Sequence, residues 1–123
     1  MKPIAPGTAG RYEITPDAAH TAAAIGNHGV EVVGTPFLIG WLEVASHNAI
    51  LPSCEPGEAT VGTRVEVDHL GPAFPGRPVV AMINASFIIR GRSFTFLHRY
   101  ARLVTGRIIP VTSASWNASL PII

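Results

Sequence analysis

Between Thr35 and Leu51 apolar residues fill most positions, in the run Thr-Pro-Phe-Leu-Ile-Gly-Trp-Leu-Glu-Val-Ala-Ser-His-Asn-Ala-Ile-Leu. From Ala59 to His69 the period changes. Ala59, Val61, Thr63, Val65, Val67 and His69 share one face, and Thr60, Arg64, Glu66 and Asp68 share the other. The first stretch reads as one long helix. Thr35 suits the N-cap and Pro36 the first helical position, and the helix should stop near Leu51, before Pro52. Its apolar residues surround most of its circumference, so burial on many sides is expected rather than a single stripe. The second stretch has the period of a half-buried strand, with the valine face toward the helix.

The remaining pattern is β-rich. A loop spans Leu70–Gly76, and Pro78–Ile89 reads as a largely buried strand. Gly91 turns the chain into Ser93–Val104, and Thr105-Gly106 turns it into a last strand from Arg107 to about Ala118. Pro110 confines that last strand to an edge or a bulge. Upstream, Arg11–Ile14 reads as a short strand, and Thr15-Pro16-Asp17 as a helix start with Pro at the first helical position. Ala18–Ile25 reads as a short helix or loop, Gly26-Asn27-His28-Gly29 as a turn, and Val30–Val33 as a short strand. No linker divides the chain, so residues 1–123 are expected to form one α+β domain with a single helix on an antiparallel sheet. One helix covers only one sheet face, which leaves apolar surface for a second subunit.

Composition points the same way. Hydrophobic residues make up 47% and charged residues 14%, against about 25% charged in an ordinary soluble domain. With a mean hydropathy of +0.32, a homo-oligomer, dimer or tetramer, is expected. The net charge is +1 and the nine basic residues are scattered, so no nucleic-acid footprint is indicated. The apolar tail is too short and too polar to span a bilayer, and the N-terminus lacks the apolar core of a secretory signal. Cys54 is the one cysteine, which excludes an internal disulfide. A cytoplasmic location with no membrane partner is the expectation, and the two Asn-Ala-Ser sequons read as chance.

Candidate chemistry begins with Glu43, the one formally charged residue between Thr35 and Cys54. A carboxylate among apolar residues is costly unless it is paired or faces a cleft, and cleft carboxylates are candidate bases and nucleophiles. Strict alternation brings His69 to the helix-facing side at the end of its strand, where an imidazole and a carboxylate can share a proton. Thr35 adds a hydroxyl at a helix N-terminus, where backbone N–H groups stabilise an oxyanion. Thr35 and Glu43 are eight residues apart, hence about 12 Å along one helix. To act on one substrate they must reach it from opposite sides or from two subunits. The alternative reading pairs Glu43 with His47 at i, i+4, leaves Thr35 as a plain N-cap, and bonds His69 to backbone. His20, His28 and His98 show no partners at ligand spacing, and no metal motif is present.

The stretches Val32-Val33-Gly34-Thr35-Pro36, Ile39–Ala45, Glu55-Pro56-Gly57-Glu58, Val61-Gly62-Thr63 and Val67-Asp68-His69, with Pro72, Gly76 and Gly91-Arg92, are familiar as a set. From Val30 to about Leu103 the chain resembles the hot-dog-fold thioesterases, specifically the fluoroacetyl-CoA thioesterase-like family. The resemblance implies a long central helix wrapped by an antiparallel sheet, paired into a dimer that hydrolyses acyl-CoA thioesters at its interface. It implies catalytic roles for Thr35, Glu43 and His69, and substrate contacts at Gly62, Gly34 and Pro36. No cofactor is implied, coenzyme A being part of a small-molecule acyl thioester substrate. The last strand departs from the family's Gly-x-His-x-Arg-like run, because Val111–Trp116 has neither His nor Arg. That departure, with the lack of a Lys/Arg cluster for coenzyme A phosphates, supports the rival reading of a non-catalytic hot-dog module holding a hydrophobic or acyl ligand. A hydratase ranks third, lacking the usual Asp/His spacing on the helix.

Overall fold

The computed structural model describes residues 2–59, 61–65, 67, 69–84, 86–90, 93–98, 101–105, 107–111 and 114–119, with side chains described for 2–59, 65, 67 and 69–83. The expected positions at Thr60, Glu66 and Asp68, and the turns at Gly91 and Gly106, lie outside the described residues.

One helix, α1 (Thr35–Ile50), carries the core. Its buried residues are Leu38, Trp41, Leu42, Ala45, Ser46, Ala49 and Ile50, whereas Pro36, Glu43, Val44 and Asn48 are exposed. Within one chain the helix is therefore two-sided, not buried all round. The reason is that a single sheet can cover only one of its faces. Ser46 sits on the buried side with its hydroxyl satisfied, donating to the Leu42 carbonyl at 2.8 Å. The helix ends in a 3-10 turn, Leu51–Ser53, where Pro52 has no N–H to continue the helical ladder.

Strand β1 (Ala9–Ile14) lies against this helix and alternates as a half-covered strand should. Gly10 is buried and Tyr12 and Ile14 are half-buried, while Ala9, Arg11 and Glu13 alternate with them; the latter two are exposed, paired at 2.8 Å. A Cβ on Gly10 would run into the Ala45 carbonyl oxygen and lie 2.9 Å from the Ala49 Cβ. Only glycine lets the strand come this close. Asn48 reaches back to fix the crossing, donating to the Arg11 carbonyl at 3.0 Å.

The other strands are β2 (Val61–Arg64), β3 (Val79–Asn84), β4 (Ser86–Arg90), β5 (Ser93–His98), β6 (Ala101–Thr105), β7 (Arg107–Val111) and β8 (Ala114–Ser119). All pair antiparallel, in the orders β1-β3-β6-β7 and β2-β8-β5-β4. The three long strands expected from the pattern each appear as two described stretches serving the two ladders. The β5–β8 and β6–β7 ladders keep a common register (Thr95↔Asn117, Leu103↔Ile109). Between β3–β6 (Met82↔Arg102) and β4–β5 (Ser86↔Leu97) the register steps by one residue. Such a step exchanges the two faces of a strand. Pro110 lies in β7, an edge strand, as its missing N–H requires.

Three local expectations need correction. The valine-face strand does not run from Ala59 to His69: β2 stops at Arg64, and its register slips between Gly62 and Arg64. Past the slip, Val65 is exposed while Val67 packs on the core, so these two do not share a face. Pro16 precedes an N-cap rather than opening a helix. Asp17 is that cap, and two 3-10 turns follow, Ala18–His20 and Ala23–Ile25. In the segment Val30–Val33 only Val33 makes a β-bridge, to Thr21. The core joins Val33, Leu38, Trp41, Leu42, Ala45 and Ala49 to Ala73, Val79, Ala81 and Ile83. Residues Val33 and Ala73 bracket the place where the helix begins.

Candidate active site

The helix start is built from three directions. The Gly34 N–H donates to the His20 carbonyl at 3.0 Å, and the Val33 N–H donates to the Ala73 carbonyl at 2.8 Å. Gly34, not Thr35, is the N-cap, with extended backbone (φ −71°, ψ 142°), and Pro36 falls at the second helical position. A Cβ on Gly34 would lie 3.2 Å from Ile25 Cδ1 and 3.4 Å from Ala22 Cα and Phe37 Cδ2. The cap is thus a glycine pressed between two segments, and the threonine hydroxyl is released from capping duty.

That hydroxyl meets His69. Thr35 Oγ1 lies 2.8 Å from His69 Nδ1, across 34 residues of sequence. His69 is delivered by a loop, not by the end of a strand. Val67 packs on the core on one side of it, and Ala73, fully buried, is tied to Val33 on the other. His69 Nε2 is buried and has no hydrogen-bond partner among the described residues. Buried ring nitrogens are normally satisfied, so Nε2 is an unmet hydrogen-bonding need beside the Thr35 contact. One proton serves the pair. With the proton on Nδ1 the imidazole donates to Thr35 Oγ1, leaving Nε2 an acceptor and the hydroxyl proton free to point elsewhere. With the proton on Nε2, Thr35 donates to Nδ1.

The backbone contributes little beyond this. Gly34 N–H is committed to His20, Pro36 has no N–H, and Phe37 N–H turns back to the Gly34 carbonyl at 3.0 Å. Among the described residues no backbone partner from outside the helix is seen for Thr35 N–H, and it sits on the same residue as the hydroxyl.

Glu43 is not part of this cluster within the chain. Eight residues on, it is about 12 Å along the axis and about 80° around it from Thr35. It is exposed, and no hydrogen bond or ion pair from it to another described residue is seen. It shares its exposed face with Pro36, Val44 and Gly40, where an added Cβ would meet nothing within 4 Å. Gly62 lies in β2 beside the register slip, paired with Ala118.

His20 escaped the sequence reading and has a structural role. Asp17 caps the first 3-10 turn, accepting from Ala19 N–H at 2.9 Å, and His20 closes a reciprocal capping box through Nδ1 at 3.1 Å from Asp17 N. The Asp17-x-x-His20 spacing was the available signal. The Asp17 carboxyl is held below its ordinary range, chiefly by the Ala19 N–H and then by His20. The His20 ring stands edge-on to Phe37 at 5.3 Å and tilted against Trp41 at 5.7 Å. Cys54 is half-buried, and burial raises its thiol pKa, which makes it a poor nucleophile. Among the described residues no three His, Cys, Asp or Glu side chains gather as a metal site, and no helix is long and apolar enough to cross a membrane.

A family model described as fluoroacetyl-CoA-specific thioesterase, FlK, matches residues 16–102, which include Thr35, Glu43 and His69. The chain belongs to the FlK family. Its fold is the hot-dog fold, shared with several solved structures. A Thermus thermophilus hypothetical protein of the thioesterase superfamily superposes with a TM-score of 0.83 at 25% identity, covering 99% of this chain and 87% of that one. A mutant of the fluoroacetyl-CoA-specific thioesterase FlK in complex with fluoroacetate and CoA gives 0.81 at 20% identity, covering 98% and 97%. A hot-dog-like protein from Thermanaerovibrio acidaminovorans gives 0.77 at 18% identity, covering 97% and 84%. No curated protein sequence matches the chain significantly.

Proposed function

We propose that this FlK-family protein hydrolyses a small or medium acyl-CoA thioester at a site shared by two copies of the chain. The observation that carries the reading is the Thr35–His69 hydrogen bond at the helix start, in a family whose model is named for a thioesterase. Thr35 presents its N–H and hydroxyl toward the thioester carbonyl oxygen, where negative charge develops as the carbonyl is attacked. His69 holds the hydroxyl through Nδ1 and offers Nε2 for the proton transfers that follow. The attacking group is the Glu43 carboxylate, directly or through a water it deprotonates.

Glu43 cannot reach Thr35 of its own helix, so the carboxylate comes from the partner subunit. The exposed face that carries Glu43, Gly40 and Val44 is the face the second copy covers. Exposed Val65 and Leu70, close to His69 in sequence, are apolar surface that a second copy removes from water. The two-fold arrangement makes two identical sites, each with Thr35 and His69 from one chain and Glu43 from the other.

Thiol release from a panel of acyl-CoA esters, followed with a thiol reagent, tests the reading. Wild type should release coenzyme A from at least one short acyl ester, and Glu43→Ala should lose turnover by about two to four orders of magnitude with its helix content intact. Saturable acyl-CoA binding without release would instead favour the non-catalytic module, and a Glu43→Ala variant as fast as wild type would refute the assignment.

A further inference from the structure

The loop that carries His69 continues into a tight turn with its own chemistry. Phe74, Pro75, Gly76 and Arg77 form a β-turn: Arg77 N–H donates to the Phe74 carbonyl at 3.3 Å. Proline at the second position and glycine with φ 79° at the third are the signature of a type II turn. The turn is anchored on both sides. Ala73, fully buried, accepts from Val33 N–H at 2.8 Å, and Gly76 N–H donates to the Pro16 carbonyl at 2.8 Å.

Positions one and four of such a turn lie side by side, and here they hold an aromatic ring and a cation. The Arg77 guanidinium carbon sits 5.6 Å from the centre of the Phe74 ring. The ring supports the guanidinium from one side, so its donors are held in place without a carboxylate. Among the described residues Arg77 has no acidic partner, in contrast to Arg11, which is paired with Glu13 at 2.8 Å. Both side chains are open to solvent, Phe74 at 42%. A solvent-exposed large ring beside a guanidinium that has no acidic partner among the described residues serves neither the core nor a described salt bridge.

The position of this pair relative to the site follows from the backbone. Ala73 is bonded to Val33, two residues before Thr35, and Arg77 lies four residues beyond Ala73. Four residues reach about 14 Å at most when fully extended, and the turn shortens that. The pair is therefore held within about 14 Å of Ala73, on the loop that runs from His69 past the helix start. Of the other basic residues with described side chains, Lys2 is at the opposite end of the helix, its N–H on the Ser53 carbonyl.

We infer that Phe74 and Arg77 form the docking ledge for the phosphorylated adenosine end of coenzyme A. A guanidinium matches phosphate oxygens through paired donors, and a flat ring beside it matches a purine. The inference rests on the acyl-CoA reading above and adds to it the form in which the acyl group arrives. A site with this ledge selects the nucleotide-bearing thioester over a bare pantetheine thioester.

Calorimetric titration of the wild-type protein with coenzyme A and with pantetheine tests the ledge independently of turnover. Wild type should bind coenzyme A at least about tenfold more tightly than pantetheine, as a charge-assisted phosphate contact implies. In Arg77→Ala that ratio should fall to about threefold or less, and Phe74→Ala should lower it in the same direction because the guanidinium loses its support. The ratio separates recognition from damage, since a variant that merely loosens the loop weakens both ligands together. An unchanged ratio in Arg77→Ala, or a wild type that binds the two ligands alike, overturns the inference even if hydrolysis is observed. A ratio that collapses in Arg77→Ala sustains it, and does so even if no acyl-CoA is hydrolysed, in which case the hydrolase reading alone falls.

Discussion

If the site is assembled from two chains, two dead variants should repair each other. Consider Thr35→Ala and Glu43→Ala, purified separately and mixed in equal amounts under conditions that exchange subunits. Each parent dimer lacks one element at both of its sites, and loss of an oxyanion donor or of the attacking carboxylate costs about two to four orders of magnitude. In the mixed dimer one site has Thr35 and His69 from the Glu43→Ala chain and Glu43 from the Thr35→Ala chain, and is complete. The other site lacks both. Random exchange makes half of the dimers mixed, so about a quarter of wild-type sites return. The geometry supplies the contrast. Thr35 and Glu43 are about 12 Å apart along one helix, too far for a threonine and a glutamate to meet at one carbonyl carbon. Thr35 and His69 are 2.8 Å apart in one chain, so Thr35→Ala mixed with His69→Ala must show no recovery. Initial rates of thiol release measure the outcome, with mass spectrometry of differently tagged chains confirming exchange. No recovery in the first mixture despite proven exchange would refute the shared site; recovery in the second would refute the intrachain Thr35–His69 pair.

Two further outcomes concern the scaffold. Gly10→Ala places a methyl group against the Ala45 carbonyl and the Ala49 methyl, 2.9 Å away. It should destabilise the fold by about 1–3 kcal/mol or more, read as a lower urea midpoint at unchanged slope. Asp17 has a depressed carboxyl pKa, so its contribution is present above the unfolded value of 3.8 and disappears as pH falls through the lower folded value. Asp17→Asn keeps an N-cap acceptor but removes the titration, so its urea midpoint should vary less steeply than wild type between about pH 5 and pH 2.

The sequence made the helix and the sheet class legible because both depend on local pattern. Apolar residues from Phe37 to Ile50, with prolines at both ends, admit few alternatives to a helix. The long strands were legible as extended segments. Their division between two ladders was not, since register is set by partners distant in sequence. Period-two reading failed at Gly62, where the register slips, and from there its account of Val65, Val67 and His69 lost its basis. His69 nevertheless reaches Thr35, because what positions it is Ala73 on Val33, a long-range backbone bond that no periodicity encodes.

Glu43 was conspicuous in the sequence for the wrong environment. An acid among apolar residues suggested burial, yet within one chain its face is open to solvent. The two facts are compatible if the apolar surroundings of Glu43 belong to an interface rather than to a core. Gly40 adds to this. A glycine in a helix interior costs about 1 kcal/mol relative to alanine, and here an added Cβ would meet no described residue outside the helix within 4 Å. Nothing among the described residues calls for a glycine there, whereas close approach of a second helix in the proposed dimer would. In the proposed dimer one surface would account for a carboxylate with no partner among the described residues, for the exposed Val44 beside it, and for the glycine one turn before them. In the proposed arrangement it is also the surface a second subunit would cover to bring its own Thr35 within reach of this Glu43.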